Sequence, residues 1–425
     1  MSDRAQPPQP TPWRGPGTRE FIALMAALMA SNALAIDAML PALPAIGEAL
    51  AVGEDNRRQL VITFYLLGFG TAQLVWGPLS DRFGRKRLIV AALVLYALFG
   101  IVAGLASSFA LLLAARALQG MAAAATRVLV VAVVRDRFHG SAMARVMSLT
   151  MILFMIVPVL APAFGQGVLA IGQWRHIFIG LGVYGAALAL WTLLRLPETL
   201  APENRRPLSL GHIGEAALET VRSRPSIGNT AVLTLLVGAL FAFIGSIQQI
   251  VFDVFNRPSL IALVFALIAG PMALSSYANS RLVMRLGSRR ILLFALGAFT
   301  AAATLHLAAA GLVGESIWSF VVFQAITMIF FGLIGANAGA LAMEPLGHIA
   351  GTASSLQGVI TTTGGALIGF AIGQQFDGTT TPFLAGLTLC GAAALAMAIW
   401  ANRPPSSDSS DPAEIEVQET AARPA

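Results

Sequence analysis

Apolar segments of about 20 residues recur along the whole length of this chain and constrain its fold more than any other feature. Each is long enough to cross a bilayer as a helix. We predict twelve spans, near residues 20–44, 57–79, 88–106, 108–132, 144–170, 174–195, 226–250, 258–280, 290–312, 316–342, 351–375 and 380–401. The predicted fold class is an all-α polytopic membrane protein.

The composition supports this prediction, because 56% of the residues are hydrophobic and only 11% are charged. A soluble domain carries about 25% charged residues, so this chain has too little polar surface to cover a globule. The only lysine, Lys86, is followed by Arg87, which excludes the Lys-Ser/Thr pair of a P-loop. Active transport by this chain would use an ion gradient or a separate ATPase subunit. The single cysteine, Cys390, excludes an intrachain disulfide and a multi-cysteine metal site.

The distribution of arginine predicts the orientation. Short loops rich in Arg and Lys stay in the cytoplasm, and this rule is satisfied when both termini are cytoplasmic. The net charge of +6 therefore reflects membrane orientation rather than nucleic-acid binding. The longest internal polar stretch, 197–225, divides the spans into bundles at 20–196 and 226–401. The tails, 1–19 and the acidic 402–425, are expected to be disordered.

Asp37 lies inside the first apolar run, with no other acid between Glu20 and Glu48. A carboxylate near the middle of a bilayer costs a few kcal/mol, roughly 3 on insertion scales. Such residues usually face a bundle interior or a water-filled cavity. We therefore treat Asp37 as a candidate functional residue, with a structural cap at the Pro41 and Pro44 break as the alternative.

Two loops of similar sequence indicate that the halves are repeats. GPLSDRFGRKR ends at Arg87 and SRLVMRLGSRR ends at Arg290, an offset of 203 residues. Both loops follow the second span of a six-span half, so the repeat is parallel, with its axis along the membrane normal. Transport sites in such folds lie near the middle of the membrane, where the repeats meet.

The first of these loops resembles the G-x-x-x-D-R-x-G-R-[RK] motif of the major facilitator superfamily, and the resemblance extends over about residues 20–400. It implies twelve helices in two six-helix bundles. The motif suits a gating loop at the cytoplasmic mouth, formed by Gly77, Asp81, Arg82, Gly84, Arg85 and Lys86. The alternative is a charge cluster that only sets topology. In the second copy Met284 replaces Asp81, so the two gates should differ.

The fourth span resembles the R-x-x-Q-G element of drug–proton antiporters in Arg116, Gln119 and Gly120. At 1.5 Å per residue, Arg116 and Asp37 lie at similar depths, as a charge pair or a water-coupled pair requires. Arg116 bonded only to backbone carbonyls is the alternative. Arg127 is expected to be structural, extending towards the cytoplasmic headgroups.

The fifth span contains PVLAPAFGQG, which partly resembles the antiporter element G-P-x-x-G-G and retains Pro158, Pro162 and Gly165. Ordinary helix packing would explain this segment almost as well. ALAIDAMLPALPAIGEAL and RLPETL most resemble the Bcr/CflA branch of drug-resistance transporters. That resemblance implies export of drugs and small metabolites across the bacterial inner membrane against proton entry.

Our hypothesis is proton-coupled export by a protein that acts as a monomer in the lipid bilayer, without cofactor, and uses the proton gradient. Asp37 and Arg116 would couple the proton. The proposed substrate cavity comprises Asn32, Asp37, Arg116, Gln119, Gln248, Gln249 and Asn337. A proton-coupled importer is the first alternative. A membrane enzyme or receptor is remote, because the five histidines show no metal spacing and His306 reads as an isolated, packed neutral side chain.

Overall fold

The computed structural model describes residues 15–201, 203, 205 and 210–403. The predicted tails fall mainly on residues 1–14 and 404–425, which lie outside the described residues. The α-helices of the described part are α1 Thr18–Asp37, α2 Leu43–Ala49, α3 Leu60–Phe83, α4 Arg85–Gly104, α5 Phe109–Arg137, α6 Gly140–Ile171, α7 Trp174–Arg195, α8 Leu210–Arg222, α9 Arg224–Gln249, α10 Ile261–Leu286, α11 Ser288–Val313, α12 Ile317–Met343, α13 Ala350–Gly373 and α14 Thr381–Ala401.

Twelve segments of the described chain are long and apolar enough to cross a membrane, which confirms the predicted number of spans. The first span, Thr18–Ala49, is not one continuous helix. Helix α1 ends at Asp37, and a short 3-10 turn at Leu40–Ala42 leads into α2. Pro41 and Pro44 explain the break, because proline lacks an amide hydrogen and its ring collides with the preceding turn of an α-helix.

The helices form two bundles, α1 to α7 and α9 to α14, which meet where α3 packs on α13 and α6 packs on α10. We call the membrane side with the loops at Gly84 and Gly287 the basic side, and the side with Asn56 and Phe376 the distal side. An even number of spans puts residues 15 and 403 on the same side, the basic one. Polar side chains can be buried away from lipid inside each bundle and where the two bundles meet.

Backbone conformation supports the repeat predicted from the two loops. Gly84 joins α3 to α4 with φ 97° and ψ 153°, and Gly287 joins α10 to α11 with φ 77° and ψ 150°. A positive φ is readily adopted only by glycine, so both sharp turns depend on the residue type at this position. The two glycines are 203 residues apart, as the alignment of the loops requires.

The polar stretch 197–225 contains a helix that we did not predict. Helix α8, Leu210–Arg222, lies in this stretch and contacts α9 and α13. Glu219 Oε1 on α8 lies 2.9 Å from Nε2 of His348, which precedes α13. The four prolines between 197 and 225 obscured this helix, although none of them lies within α8. The stretch is therefore a link with its own helix rather than a simple loop.

His306 is not an isolated side chain, contrary to our expectation. Its Nε2 bonds to Glu315, its Nδ1 lies 3.3 Å from the amide of Gln324, and its ring stacks on Phe323 at 4.8 Å. The amide donates to Nδ1, so Nε2 carries the hydrogen and donates to Glu315. The other oxygen of Glu315 accepts from the Thr380 hydroxyl at 2.6 Å. This cluster joins the distal ends of α11, α12 and α14.

Replacing Glu315 with alanine should destabilise the second bundle. The change leaves His306, which is 1% exposed, without its acceptor, and an unsatisfied buried polar group costs about 1–3 kcal/mol. A fall in the thermal midpoint of the purified protein in detergent measures this. Glu344→Ala is the control, because Glu344 is exposed near the basic side. Equal midpoints for the two variants would contradict the assigned role of the cluster.

Candidate functional site

The break after α1 creates the central feature of the first bundle. The last carbonyls of a helix have no partner within the helix, and α1 ends inside the membrane rather than in water. The guanidinium of Arg116 on α5 donates to the carbonyl of Ala35 at 2.8 Å, so it caps this end of α1. The same side chain donates to the carbonyl of Val61 on α3 at 3.4 Å. Arg116 therefore ties three helices together at one level of the membrane.

Arg116 is completely buried, and its charge is balanced by dipoles and rings. A third donor bonds to Gln119 Oε1 at 2.7 Å. The guanidinium lies 4.3 Å from the ring centre of Tyr65 and 5.5 Å from that of Phe178, distances at which a cation is attracted to the face of an aromatic ring. Tyr65 also donates its hydroxyl to Asn32 Oδ1 at 3.0 Å. Asn32, Tyr65, Arg116 and Gln119 thus form one connected polar group.

Asp37 lies at the same break but is not part of that hydrogen-bonded group. Its side chain is 3% exposed, and no described residue donates to its Oδ1. No described cation lies within ion-pair distance of its carboxylate, so the direct pair with Arg116 that we considered is absent from this conformation. Arg116 bonds to two backbone carbonyls and also to the Gln119 side chain, so it does not bond to carbonyls alone, as the alternative held. Tyr65 is near enough to both Asp37 and Arg116 to experience both charges.

Glycines determine how closely the helices approach this break. A Cβ atom on Gly120 would collide with the carbonyl of Tyr65, and one on Gly68 would collide with the carbonyl of Ala117, so α3 and α5 pack backbone to backbone. In α6, a Cβ atom on Gly165 would collide with the carbonyl of Ala38, the residue after Asp37. Pro158 and Pro162 lie inside the same helix. The residues of both antiporter-like elements therefore surround the end of α1.

Amide side chains join the two bundles on the distal side. Gln59 donates to Gln249 Oε1 at 2.5 Å, and Gln249 donates to Asn56 Oδ1 at 2.7 Å. Asn56 donates to the carbonyls of Gln374 and Phe376, and Gln374 donates back to the carbonyl of Asn56 at 2.8 Å. We call Asn56, Gln59, Gln249 and Gln374 the distal amide cluster. It closes this side of the interface with uncharged groups.

A small space remains beneath the distal amide cluster. It lies between α3, α9 and α13, with Gln59, Thr63, Phe241 and Phe370 in its wall. Its volume of about 10 Å³ is close to the least that a single water molecule needs. The interface beneath the cluster is therefore packed too tightly for a drug-sized ligand, which needs about 300–1,000 Å³.

Several polar residues predicted in the cavity have other positions. Gln249 belongs to the distal amide cluster and is 1% exposed, so it holds the bundles together rather than lining open space. Asn337 donates to Asn279 at 2.7 Å and to the carbonyl of Leu333, which places it within the packing of α10 and α12. Gln248 is buried beside the cluster, and its amide nitrogen has no partner among the described residues.

Arg127 is exposed, although Ala123, Val130 and Val134 on the same face of α5 are buried. The residue lies ten positions before the end of its span at Arg137, or about 15 Å along the helix. The expectation that its side chain extends towards the headgroups stays a prediction.

The basic-side loop forms an ion network within the first bundle. Arg85 pairs with Asp81 at 2.6 Å and with Asp136 at 3.3 Å, and its amide donates to Glu198 at 2.7 Å. Glu198 belongs to RLPETL, so the end of α7 is fastened to the start of α4. The second copy differs, as predicted, because Met284 is 85% exposed where the first copy has Asp81. Three other residues of the predicted gating loop flank this network: Gly77, Arg82 and Lys86. Neither Arg82 nor Lys86 forms an ion pair with a described residue.

A family model described as the Major Facilitator Superfamily matches residues 25–369 of this sequence, which is most of the described chain. The chain belongs to that superfamily. Membership confirms the predicted fold class and the prediction of a transporter rather than an enzyme. A member of this superfamily transports a small-molecule substrate, and the twelve spans make the protein a multi-pass membrane protein.

Similar superfamily proteins come from several bacteria. The chain is 29% identical to a bicyclomycin resistance protein homolog of Haemophilus influenzae, covering 87% of this chain and 93% of that protein. It is 31% identical to the uncharacterized MFS-type transporter YdgK of Bacillus subtilis, covering 82% of this chain and 87% of that protein. It is 30% identical to the multidrug resistance protein MdtL of Salmonella heidelberg, covering 82% of this chain and 87% of that protein. These similarities agree with the predicted resemblance to the Bcr/CflA branch.

The fold is also found in a solved structure. The crystal structure of the human organic anion transporter MFSD10 (TETRAN) matches with a TM-score of 0.62 at 20% identity, covering 91% of this chain and all of that chain. At this identity the similarity shows the superfamily fold alone.

Sequence reasoning missed Tyr65 and most of the distal amide cluster. Tyr65 is a polar aromatic residue within a span, where its hydroxyl needs a buried partner, and that was the available signal. Asn56, Gln59 and Gln374 are amides near the ends of the second and eleventh spans. Only a structure shows that these ends meet.

Gly165→Ala should reduce transport strongly while Gly167→Ala should not. The added methyl at position 165 meets the carbonyl of Ala38, so α6 or the break beside Asp37 must move, whereas a Cβ atom at 167 meets nothing within 4 Å. Overpacking of this kind costs about 1–3 kcal/mol. Initial rates of substrate efflux at equal expression measure the effect, and equal rates for the two variants would refute the tight contact.

A cross-link between positions 56 and 374 should block transport reversibly. We would introduce Asn56→Cys and Gln374→Cys in a Cys390→Ser background, which removes the only native cysteine. Oxidation then fixes the distal side closed, and a reducing agent should restore at least half of the initial rate. Each single-cysteine variant is the control. Full transport by the cross-linked protein would mean that the distal side need not open.

Proposed function

We propose that this protein exports drugs or small amphiphilic metabolites across the bacterial inner membrane in exchange for protons. The basic side would face the cytoplasm, in agreement with the distribution of arginine. The observation that carries the proposal is Asp37, a buried acid at a mid-membrane helix break that receives no hydrogen bond and forms no ion pair among the described residues. Relatives named as resistance proteins support export of foreign compounds.

The surroundings of Asp37 favour reversible protonation. Burial away from water disfavours a carboxylate, and the partial negative charge at the C-terminal end of α1 disfavours it further. When water enters the cavity, the ionised form of Asp37 becomes less unfavourable. The charge state of Asp37 therefore depends on which side of the membrane is open, and this link is what proton coupling requires. Arg116 would hold the break in place rather than neutralise the acid directly.

In alternating access, the protein would switch between a state closed on the distal side and a state closed on the basic side. In this scheme the distal amide cluster would close the distal side, and Arg127 would line space open towards the basic side. In the proposed cycle the distal side opens, Asp37 takes a proton from outside, and reclosure carries the proton inward. The Arg85 network with Asp81 and Asp136 would maintain the alignment of α3, α4 and α5 at the basic mouth.

The substrate would share the cavity with the proton. Apolar walls would dominate, and Asn32, which is only partly buried, would offer a polar contact. Such a mixture of many apolar contacts and few polar ones suits amphiphilic compounds. Energy would come from the proton gradient without a cofactor, and the protein would act as a monomer in contact with lipid.

Asp37→Asn should abolish efflux driven by a pH gradient while the protein remains folded. Asparagine has nearly the same shape but cannot release a proton, so the coupled step should fall by at least tenfold. The measurement is accumulation of a transported dye in everted vesicles with an acidic lumen, because export from the cell corresponds to uptake into such vesicles. Asp253→Asn is the matched control, because Asp253 is an exposed acid near the distal end of the span that begins at Arg224.

Two outcomes would contradict the proposal. Full pH-driven efflux by the Asp37→Asn protein would remove Asp37 from proton coupling. Accumulation of substrate in right-side-out vesicles under an inward proton gradient would instead favour a proton-coupled importer, the main alternative. A screen of cells with and without the gene against antibiotics and dyes would identify which compounds to test.

A further inference from the structure

Arg127 is the one charged residue in the interior of a span that the proposed mechanism leaves unused. It lies eleven residues after Arg116 on α5, which is three helical turns to within about 20°. The two side chains therefore project from the same face of the helix. Arg127 lies about 16 Å nearer the basic side than Arg116. One arginine is thus deep at the helix break, and the other is on the route to the basic mouth.

The two arginines differ in their partners. Arg116 is completely buried and bonds to two carbonyls and an amide. Arg127 is exposed on the face of α5 whose other residues, such as Ala123 and Val130, are buried, and the described residues provide it with no hydrogen bond, ion pair or ring contact. A guanidinium carries five N–H donors in a fixed planar arrangement that matches carboxylate, phosphate or sulfonate. Arg127 therefore presents an unused anion-binding group to the cavity.

The surrounding charges do not compensate for Arg127. Within the described spans every acid except Asp37 lies within about five residues of a span end. Glu20 pairs with Arg195, and Asp81 and Asp136 pair with Arg85. A cleft with low-dielectric walls and charge of one sign concentrates ions of the opposite sign. The open part of the cavity is therefore attractive to anions and unfavourable for compounds with several positive charges.

We propose that Arg127 binds an anionic group on the transported compound, so that the preferred substrates are amphiphiles with a carboxylate, phosphate or sulfonate. This inference rests on the proposed function as a transporter and specifies its substrate class. The anionic group would bind at Arg127 while the apolar part extends towards Asp37, about 16 Å deeper. At that distance and an effective dielectric of about 20, one charge changes the affinity at the other by only about fivefold. Anion recognition and proton coupling are therefore separable by mutation.

A matched pair of probes tests the proposal. Anilinonaphthalene sulfonate and phenylnaphthylamine share the same aromatic rings and differ by the sulfonate. Binding of each probe to the full-length purified protein is measured, and so is its proton-driven transport in liposomes. Arg127→Gln should weaken sulfonate binding at least tenfold and leave phenylnaphthylamine within about twofold. Arg127→Lys should recover part of the sulfonate affinity, because the positive charge remains.

Controls separate this proposal from the proposed function. Arg135→Gln removes an exposed arginine near the end of the same helix and should change neither probe. Retained sulfonate selectivity in binding without proton-driven transport would contradict the antiport mechanism but support anion recognition. Equal sulfonate binding by the unmodified and Arg127→Gln proteins overturns the proposal whatever the transport result. So does the absence of sulfonate binding by the unmodified protein. An equal loss of both probes in Arg127→Gln also overturns it.

Discussion

The bond from the Arg116 guanidinium to the end of α1 is the interaction on which the rest of the site depends. A helix that stops inside a membrane leaves carbonyls without water, and each unsatisfied group costs several kcal/mol in hydrocarbon, roughly 4. Arg116 satisfies one such carbonyl on α1 and contacts α3, while Tyr65 covers its charged plane. Because the cation is balanced by carbonyls and rings, Asp37 can gain or lose a proton without breaking an ion pair.

The glycines of the motifs allow close helix packing, which matters as much as the polar groups that the motifs provide. Gly120 in the R-x-x-Q-G element lets α5 touch α3, which brings Arg116 within reach of Ala35. Gly165 does the same for α6 beside Ala38. The two elements are about 45 residues apart in sequence and meet at one break. Small residues at helix crossings permit this close approach inside a membrane, where packing replaces the hydrophobic effect as the driving force.

Hydropathy and the paired loops were enough to predict the spans, the two bundles and the repeat, because each depends on sequence within one or two segments. The depth of Arg116 in the membrane was also predictable, since depth follows from residue count along a straight helix. The direction in which each side chain points around its helix, and its partners on other helices, were not predictable. Gln249 was assigned to the cavity by its level, although its side chain turns towards Asn56 and Gln59.

Amides make a distal closure that is easier to reopen than one made of buried ion pairs. A net hydrogen bond between neutral groups contributes about 0.5–1.5 kcal/mol, because water replaces it on opening. Breaking a buried ion pair by separating its partners costs more, about 3–5 kcal/mol. The hydrogen bonds of Asn56, Gln59, Gln249 and Gln374 can therefore be exchanged for water one at a time at small cost. Several buried ion pairs across the same interface would instead hold the protein in one state.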